Sequence, residues 1–180
     1  MIIEIDENIL LELIHQKHAQ PIFDLVDKNR LYLREWLSFV DRMQTLGFAE
    51  NFVNSTIQRN SDGIEFAFVI VENDKVIGRI GVYEINGPNK IGEIGYWLAE
   101  NEQGKGTITK SCKVLIDFCF SYLQLNRIEI KCGSRNFKSK KIPEKLNFTW
   151  EGVIRDGELL HGQFIDLNLY SLLKLSLIHI

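Results

Sequence analysis

A strand, a turn with two glycines and a long amphipathic helix follow one another in the middle of the chain, and this succession constrains the fold most. Residues 90–99 read as a β-strand, and residues 101–107 contain Gly104 and Gly106. Apolar side chains then recur at helical spacing and form one continuous stripe: Ile108, Cys112, Leu115, Ile116, Cys119, Phe120 and Leu123. A further strand is predicted at residues 126–132, which gives a βαβ unit.

The remaining segments predict helices and antiparallel strands around this unit. Strands are predicted at residues 11–14, 65–72, 75–83, 90–99, 126–132, 148–155 and 163–173. Helices are predicted at residues 18–29, 30–40, 48–60, 108–123 and 139–146. The fold class is therefore α+β, with a mixed, twisted sheet of about seven strands. No linker or repeat divides the chain, so residues 1–180 are predicted to form a single domain.

Length and composition indicate a globular chain with its own core. A chain of 180 residues buries about 70% of its extended surface, so it needs neither disulfides nor a metal. No apolar run approaches the roughly 20 residues of a membrane span, and the acidic N-terminal segment is not a signal peptide. We therefore expect no membrane association and a cytoplasmic location. The cysteines are interpreted as reduced, and no Cys/His spacing indicates a metal site.

Charge is distributed unevenly along the chain. Residues 103–145 contain ten Lys or Arg against three Asp or Glu, a net charge of +7, whereas the rest contains eleven against twenty-one, a net charge of −10. The basic window predicts a polyphosphate ligand, and the acidic remainder predicts a cationic partner. An unevenly charged, solvated surface is the alternative. The overall charge of −3 argues against direct nucleic-acid binding.

The turn with two glycines has the properties of an anion site. Gly104 and Gly106 can adopt positive φ, and the helix that follows presents unpaired amides and a partial positive charge. A Walker phosphate loop is excluded because Lys105 precedes the last glycine, and a dinucleotide motif would need glycine where Thr109 stands. A plain tight turn remains the alternative.

Residues 95–107 resemble motif A of the GNAT acetyltransferases, Q/R-x-x-G-x-G/A, with Asn101 at the Gln/Arg position. Residues 29–37, 136–148 and 161–166, with Tyr170, are similar to further segments of the RimJ/RimL branch, which includes ribosomal-protein-serine acetyltransferases and YdaF-like proteins. The chain departs from that pattern at Asn147, where glycine is usual, and at residues 38–39, where Pro-Trp is usual. The resemblance implies a GNAT fold, with a splayed central strand pair and flanking helices.

The resemblance also implies acetyl-CoA as co-substrate, without a metal. Pantetheine would pair with the strand at residues 96–98, and pyrophosphate would bind the amides of residues 103–107. The 3′-phosphate would meet Lys105, Lys110 or the basic residues of 135–141. The residues expected to bind acetyl-CoA are Tyr96, Trp97, Leu98, Gln103, Gly104, Lys105, Gly106, Thr107 and Asn136.

Three side chains are candidates for proton transfer. Glu158, in the loop before the last strand, matches the acidic position of the branch and is the first candidate base; an exposed loop carboxylate is the alternative. Glu93 is the second candidate, and a cross-strand surface charge is its alternative. The tyrosine acid common in this fold is replaced by Pro143. The branch implies Ser139 as proton donor to the leaving sulfur, with a helix N-cap as the alternative.

The acceptor side is predicted from the N-terminal helical segment. Tyr32, Arg34, Trp36 and Phe39 are expected to line it, although Trp36 could be a core residue only. An α-amine with a pKa near 8 is roughly a quarter neutral at pH 7.5, whereas a lysine side chain with a pKa near 10.4 is about one part in a thousand neutral. An α-amine therefore depends less on a catalytic base for its deprotonation than a lysine side chain does.

Three functions follow from these residues. The first is acetylation of the N-terminal α-amine of a protein, of the serine type, such as a ribosomal protein. The second is acetylation of a small amine, namely a polyamine, an aminoglycoside or a peptide antibiotic. The third is a non-catalytic acyl-CoA-binding protein. The expected partners are acetyl-CoA and a cationic amine, and a homodimer is left open.

Overall fold

Eight strands form one continuous sheet in the computed structural model, which describes residues 1–177. The strands are β1 (Ile2–Glu4), β2 (Ile9–Leu13), β3 (Phe66–Glu72), β4 (Lys75–Asn86), β5 (Ile91–Leu98), β6 (Arg127–Gly133), β7 (Thr149–Leu160) and β8 (Gln163–Leu173). They lie in the order β1-β2-β3-β4-β5-β6-β8-β7. The mixed α+β class is confirmed; the predicted number of strands was one too low, because the short β1 carries too few residues for a periodic signal.

All neighbouring strands run antiparallel except β5 and β6, which are parallel as the βαβ unit predicts. Their pairing is restricted to Ile91 with Arg127, Gly92 with Ile128 and Glu93 with Glu129. Beyond Glu93, β5 stays paired with β4 and β6 stays paired with β8. The two central strands therefore splay apart, as expected, and one edge of each faces a gap.

The helices flank the sheet. They are α1 (Ala19–Lys28), α2 (Arg30–Leu33), α3 (Leu46–Ser61), α4 (Thr107–Asp117) and α5 (Phe137–Lys145). The predicted helix at residues 108–123 ends early as an α-helix and continues as a π-helical turn over Phe118–Tyr122. The Leu123 amide donates to the Phe118 carbonyl at 3.1 Å, which is the wider spacing of such a turn. None of the described helices is both long and apolar enough to cross a bilayer.

The predicted helix at residues 30–40 is also interrupted. It stops at Leu33, Leu37 is extended, and a short 3₁₀ turn follows at Ser38–Asp41. Arg30 holds this returning segment, because its guanidinium donates to the carbonyls of Val40 at 2.6 Å and Met43 at 2.8 Å. These tertiary hydrogen bonds, invisible in the local sequence, take the place of a continued helix.

The core consists of two clusters on opposite faces of the sheet. On β3, Phe68 and Ile70 belong to the cluster that contains Leu115 of α4, whereas Ala67 and Val69 belong to the cluster beneath α1 and α3. This alternation is the period of two expected of a strand that is buried on both faces. The apolar stripe of α4 therefore fixes that helix on the sheet, with its N-terminus at the gap between β5 and β6.

Candidate active site

A cavity of about 880 Å³ lies in the gap between β5 and β6. Its walls come from these strands, the turn before α4, the start of α5, the α2 segment and the β7–β8 hairpin. Leu98, at the turn, lies five positions after Glu93, where the strands part, which is a span of roughly 17 Å at about 3.3 Å per residue. The cavity is thus long enough for an extended ligand, with a turn end and a carboxylate end.

The turn end has the geometry of an anion cradle. Gly104 and Gly106 adopt φ of +79° and +81°, and no atom lies within 4 Å of the position that a side-chain carbon would occupy at either residue. The amides of residues 104–106 donate no hydrogen bond within the described part of the chain. The first amides of α4, which starts at Thr107, also lack helical partners. These donors fit a pyrophosphate, so the cradle suits acetyl-CoA.

The lysines expected at the cradle are differently placed. Lys105 contacts Glu102 at 2.5 Å and Glu72 at 3.7 Å, and Lys110 pairs with Asp6 at 2.7 Å. Lys105 does not contribute to the described lining of the cavity. The predicted role of Lys105 as a cationic contact is therefore corrected. Neighbouring carboxylates already bind the side chains of both Lys105 and Lys110. Three of the cations that line the cavity lie along α5, from its second residue to its last: Lys138, Lys141 and Lys145. Lys131 of β6 also lines it.

The exposed edge of β5 supplies backbone groups to the cavity. Because β4 pairs with only one edge of β5, alternate amides and carbonyls between Ile94 and Leu98 face the gap. Tyr96, Trp97 and Leu98 line this stretch, as predicted for pantetheine. Tyr96 and Leu98 pack toward the α4 side of the sheet, and Trp97 packs toward the other side.

Ser139 and Tyr96 meet at the middle of the cavity. The Asn136 carboxamide caps α5 by accepting from the Ser139 amide at 3.1 Å, so the alternative that Ser139 itself is the N-cap is wrong. The Ser139 hydroxyl lies 3.4 Å from the Tyr96 hydroxyl, which donates to the Ser139 carbonyl at 3.1 Å. Burial raises the pKa of Tyr96, which keeps its hydroxyl protonated. No local sequence pattern connects these two residues, so their pairing was not predicted.

Glu158 and Glu93 both line the carboxylate end, with different partners. Glu158 lies on β7 next to a shift in the β7–β8 register, not in a loop as predicted, because the hairpin strands extend to Leu160. Burial and the charge of Glu93 raise the pKa of Glu158, which has no hydrogen-bond or ion-pair partner among residues 1–177. Glu93, in contrast, pairs with Lys131 at 2.7 Å. From the sequence, Lys131 was assigned only to the basic window.

Two of the four predicted acceptor-side residues line the cavity. Tyr32 and Trp36 do so, and Trp36 lies against Gly133, where an added side-chain carbon would be 2.9 Å from the indole. Phe39 instead stacks on Phe52 in the core, with ring centroids 5.8 Å apart. Arg34 makes two hydrogen bonds of 2.9 Å with Asp41. The predicted placement of Phe39 and Arg34 at the acceptor side is therefore corrected. The Phe39 ring packs in the core, and the Arg34 guanidinium is engaged in an ion pair with Asp41.

Within the described residues, no cluster of His, Cys, Asp and Glu has an arrangement that could hold a metal ion. Cys112, Cys119 and Cys132 are free and buried. Burial raises the pKa of Cys132 to about 11, so its thiol is protonated near neutral pH.

The chain is similar in sequence and fold to known acetyltransferases. A family model described as acetyltransferase (GNAT) domain matches residues 8–149. The ribosomal-protein-serine acetyltransferase of Escherichia coli (strain K12) is 30% identical over 169 residues, which cover 94% of both chains. RimL, the ribosomal L7/L12 alpha-N-protein acetyltransferase solved in complex with coenzyme A, superimposes with a TM-score of 0.93 at 26% identity, covering 96% of this chain and 98% of that one.

A second solved structure shares the fold equally well. It is the microcin C7 self-immunity acetyltransferase MccE in complex with acetyl-CoA and AMP, with a TM-score of 0.91 at 27% identity over 95% of each chain. The similar structures thus include two that contain CoA or its acetyl thioester.

Proposed function

Because this chain belongs to the GNAT acetyltransferase family, we propose that it is an acetyl-CoA-dependent enzyme that acetylates the N-terminal α-amine of a protein beginning with serine or another small residue, such as a ribosomal protein. One observation carries the proposal: the carboxylate of Glu158 has no partner among the described residues and lines the same cavity as the free turn amides. In this proposal the whole chain acts as one catalytic domain in the cytoplasm.

Residues along the cavity would hold the co-substrate from end to end. The amides of residues 104–107 would bind the pyrophosphate, and the free edge of β5 would pair with the pantetheine arm. Lys138, Lys141 and Lys145 would neutralise the phosphates. Acetyl-CoA, when bound, supplies an acetyl thioester that a neutral amine can attack.

At the carboxylate end, Glu158 would accept the proton of the incoming ammonium group. Its raised pKa makes it a better base than an exposed glutamate. Glu93 is held by Lys131 at 2.7 Å, so it would act as a fixed charge beside the base. Since an α-amine has a pKa near 8, a single carboxylate is a sufficient base for it, directly or through one water molecule.

At the middle of the cavity, Ser139 would donate a proton to the departing sulfur. The Tyr96 hydroxyl, 3.4 Å away, would fix the orientation of the serine and could replace the lost proton. The tyrosine expected in many enzymes of this fold is absent at Pro143. Tyr96, which comes from a strand and not from the helix, supplies a phenol at the same cavity.

A second candidate is acetylation of a small amine. Two carboxylates at one end of the cavity would also suit a polyamine, and MccE, a microcin C7 self-immunity acetyltransferase, has nearly the same fold similarity as RimL. The amine pKa argument favours the α-amine of a peptide, because a polyamine or a lysine side chain is almost fully protonated at neutral pH.

Release of the CoA thiol in the presence of acetyl-CoA tests the proposal. The acceptors are a peptide that starts with serine, the same peptide with a blocked N-terminus and one free lysine, spermidine and an aminoglycoside. We expect the serine peptide to have a kcat/KM more than tenfold above the others, about 1.4 kcal/mol of discrimination. Preference for spermidine or the aminoglycoside would favour the second candidate, and no turnover with any amine would favour a non-catalytic acyl-CoA-binding protein.

A further inference from the structure

One histidine joins the two walls of the carboxylate end from outside the cavity. His161 lies at the tip of the β7–β8 hairpin, and its Nδ1 is 3.0 Å from Oδ2 of Asp41. Its Nε2 hydrogen-bonds to the carbonyl oxygen of Arg34. The Arg34 guanidinium binds the same Asp41 carboxylate through two bonds of 2.9 Å. The hairpin tip is therefore fastened to residues 34–41 at two points.

Both fastened segments contribute to the acceptor side of the cavity. Trp36 and Leu37 lie between Arg34 and Asp41, and they form one wall. Glu158 precedes the hairpin tip by three residues and forms part of the opposite wall. The contact of His161 thus joins the segment that carries the aromatic wall to the hairpin that carries the candidate base.

Asp41 is the common partner of the two segments. Its carboxylate lies 2.9 Å from the Arg34 guanidinium and 3.0 Å from the His161 ring. The His161 ring therefore bridges the Asp41 carboxylate and the Arg34 backbone carbonyl.

We propose that His161 is a positioning residue, which latches the β7–β8 hairpin onto residues 34–41 and so holds Glu158 at the acceptor amine. His161 itself contacts no reacting atom. The inference rests on the proposed function for the role of Glu158, but the latch is a property of the hairpin that can be measured separately. Because the cradle at residues 104–107 lies at the other end of the cavity, the latch acts on the acceptor and not on acetyl-CoA.

The turn geometry provides a variant that keeps the hairpin. His161 and Gly162 have φ of +50° and +79°, the left-handed pair of a two-residue turn in which asparagine followed by glycine is favoured. His161→Asn therefore suits the backbone, but its side chain is too short to span both contacts. We expect kcat/KM for the serine peptide to fall about tenfold, with kcat affected and the KM for acetyl-CoA unchanged, because misplacement of a catalytic group by about 1 Å costs up to a hundredfold.

Three further variants separate a latch from a general loss of stability. Asp41→Asn, which weakens one of the two contacts, is expected to have a smaller effect, and the double variant should be no worse than His161→Asn alone, because His161→Asn already removes the contact with Asp41. His161→Gln, which can still donate to Asp41, should recover part of the rate. Gln163→Ala is the matched control: its side chain is exposed, makes no hydrogen bond within the described residues, and should change nothing. Additive losses, or wild-type rates in His161→Asn, would overturn the proposal.

Hydrogen exchange of the hairpin amides distinguishes failure of the latch from failure of the proposed function. Amides of residues 157–165 should exchange faster in His161→Asn than in the wild-type protein, while amides of α4 should not change. Equal exchange in both proteins would refute the latch whatever the enzyme acetylates. Absence of turnover in the wild-type protein would refute the proposed function, with the exchange result still deciding the latch.

Discussion

The hydroxyl of Ser139 lies 3.4 Å from the hydroxyl of Tyr96, a residue 43 positions earlier in the chain. The Ser139 amide is meanwhile capped by Asn136 at 3.1 Å. The serine side chain is therefore not needed to start α5, and its hydroxyl is available to the cavity. The chemical role of the Ser139 hydroxyl can therefore be tested separately from the structural role of the Asn136 cap, by substituting each residue.

Ser139→Ala should lower kcat on the order of a hundredfold, the effect of a lost general acid, and leave the Kd for acetyl-CoA almost unchanged. Tyr96→Phe should lower kcat less, because the serine keeps its hydroxyl. Asn136→Ala is the structural comparison and should cost about 1 kcal/mol of stability through loss of the cap. Thermal melts with single-turnover kinetics distinguish these effects; a destabilised Ser139→Ala variant with wild-type kcat would refute the role as acid.

Gly104→Ala should weaken acetyl-CoA binding about tenfold or more, since a side chain disfavours the left-handed backbone and blocks approach to the free amides. Gly63→Ala is the matched control. Gly63 also has positive φ, +69°, with no atom within 4 Å of an added side-chain carbon, but it follows α3 and does not line the cavity. Calorimetric titration with acetyl-CoA should show weaker binding for Gly104→Ala only. Equal affinity in the two variants would place the pyrophosphate elsewhere.

Glu158→Gln should raise the melting temperature at neutral pH while it reduces activity. Because the pKa of Glu158 is raised in the folded state above its usual value near 4.5, folding opposes its ionisation. Between pH 4.5 and the raised pKa, the folded state binds more protons than the unfolded state, so the contribution of Glu158 to stability falls as the pH rises through this range. The neutral amide of glutamine has no ionisation for folding to oppose, so the variant does not lose this stability. Melting curves at pH 4 and pH 7 should show the gain only at the higher pH.

Glu151→Gln should have the opposite effect on stability. Hydrogen bonds from Arg127 and Ser171 lower the pKa of Glu151 to about 2. Ionisation of Glu151 therefore stabilises the fold above its usual pKa, and that contribution is lost as pH falls toward 2. Acid titration followed by circular dichroism should show that the difference in stability between the wild-type protein and the variant becomes smaller at low pH. A variant as stable as the wild-type protein at pH 7 would contradict the assignment.

Local features were predictable because near neighbours in the sequence determine them. The apolar stripe that became α4 and the glycine pair before it depend on helical spacing and backbone freedom, and both are present in the structure. The length of β7 was not predictable, because Leu160 is in a strand only through its pairing with Gln163. The same applies to Lys131 beside Glu93 and to Phe39 in the core. These placements depend on contacts between distant segments, which a single sequence does not reveal.

The central claim is that Glu158, and not Glu93, accepts the proton of the acceptor amine. The measurement that tests it most directly is the pH dependence of kcat/KM for a serine peptide in the wild-type protein, Glu93→Gln and Glu158→Gln. The wild-type rate should rise on an acidic limb set by Glu158 and again through the amine pKa near 8. Glu93→Gln should keep the acidic limb but move it to lower pH, because the charge of Glu93 raises the pKa of Glu158. Glu158→Gln should abolish that limb and lower the rate most between the pKa of Glu158 and the amine pKa near 8, where the wild-type carboxylate is ionised and the amine is still protonated. Loss of the limb in Glu93→Gln, with its retention in Glu158→Gln, would contradict the account.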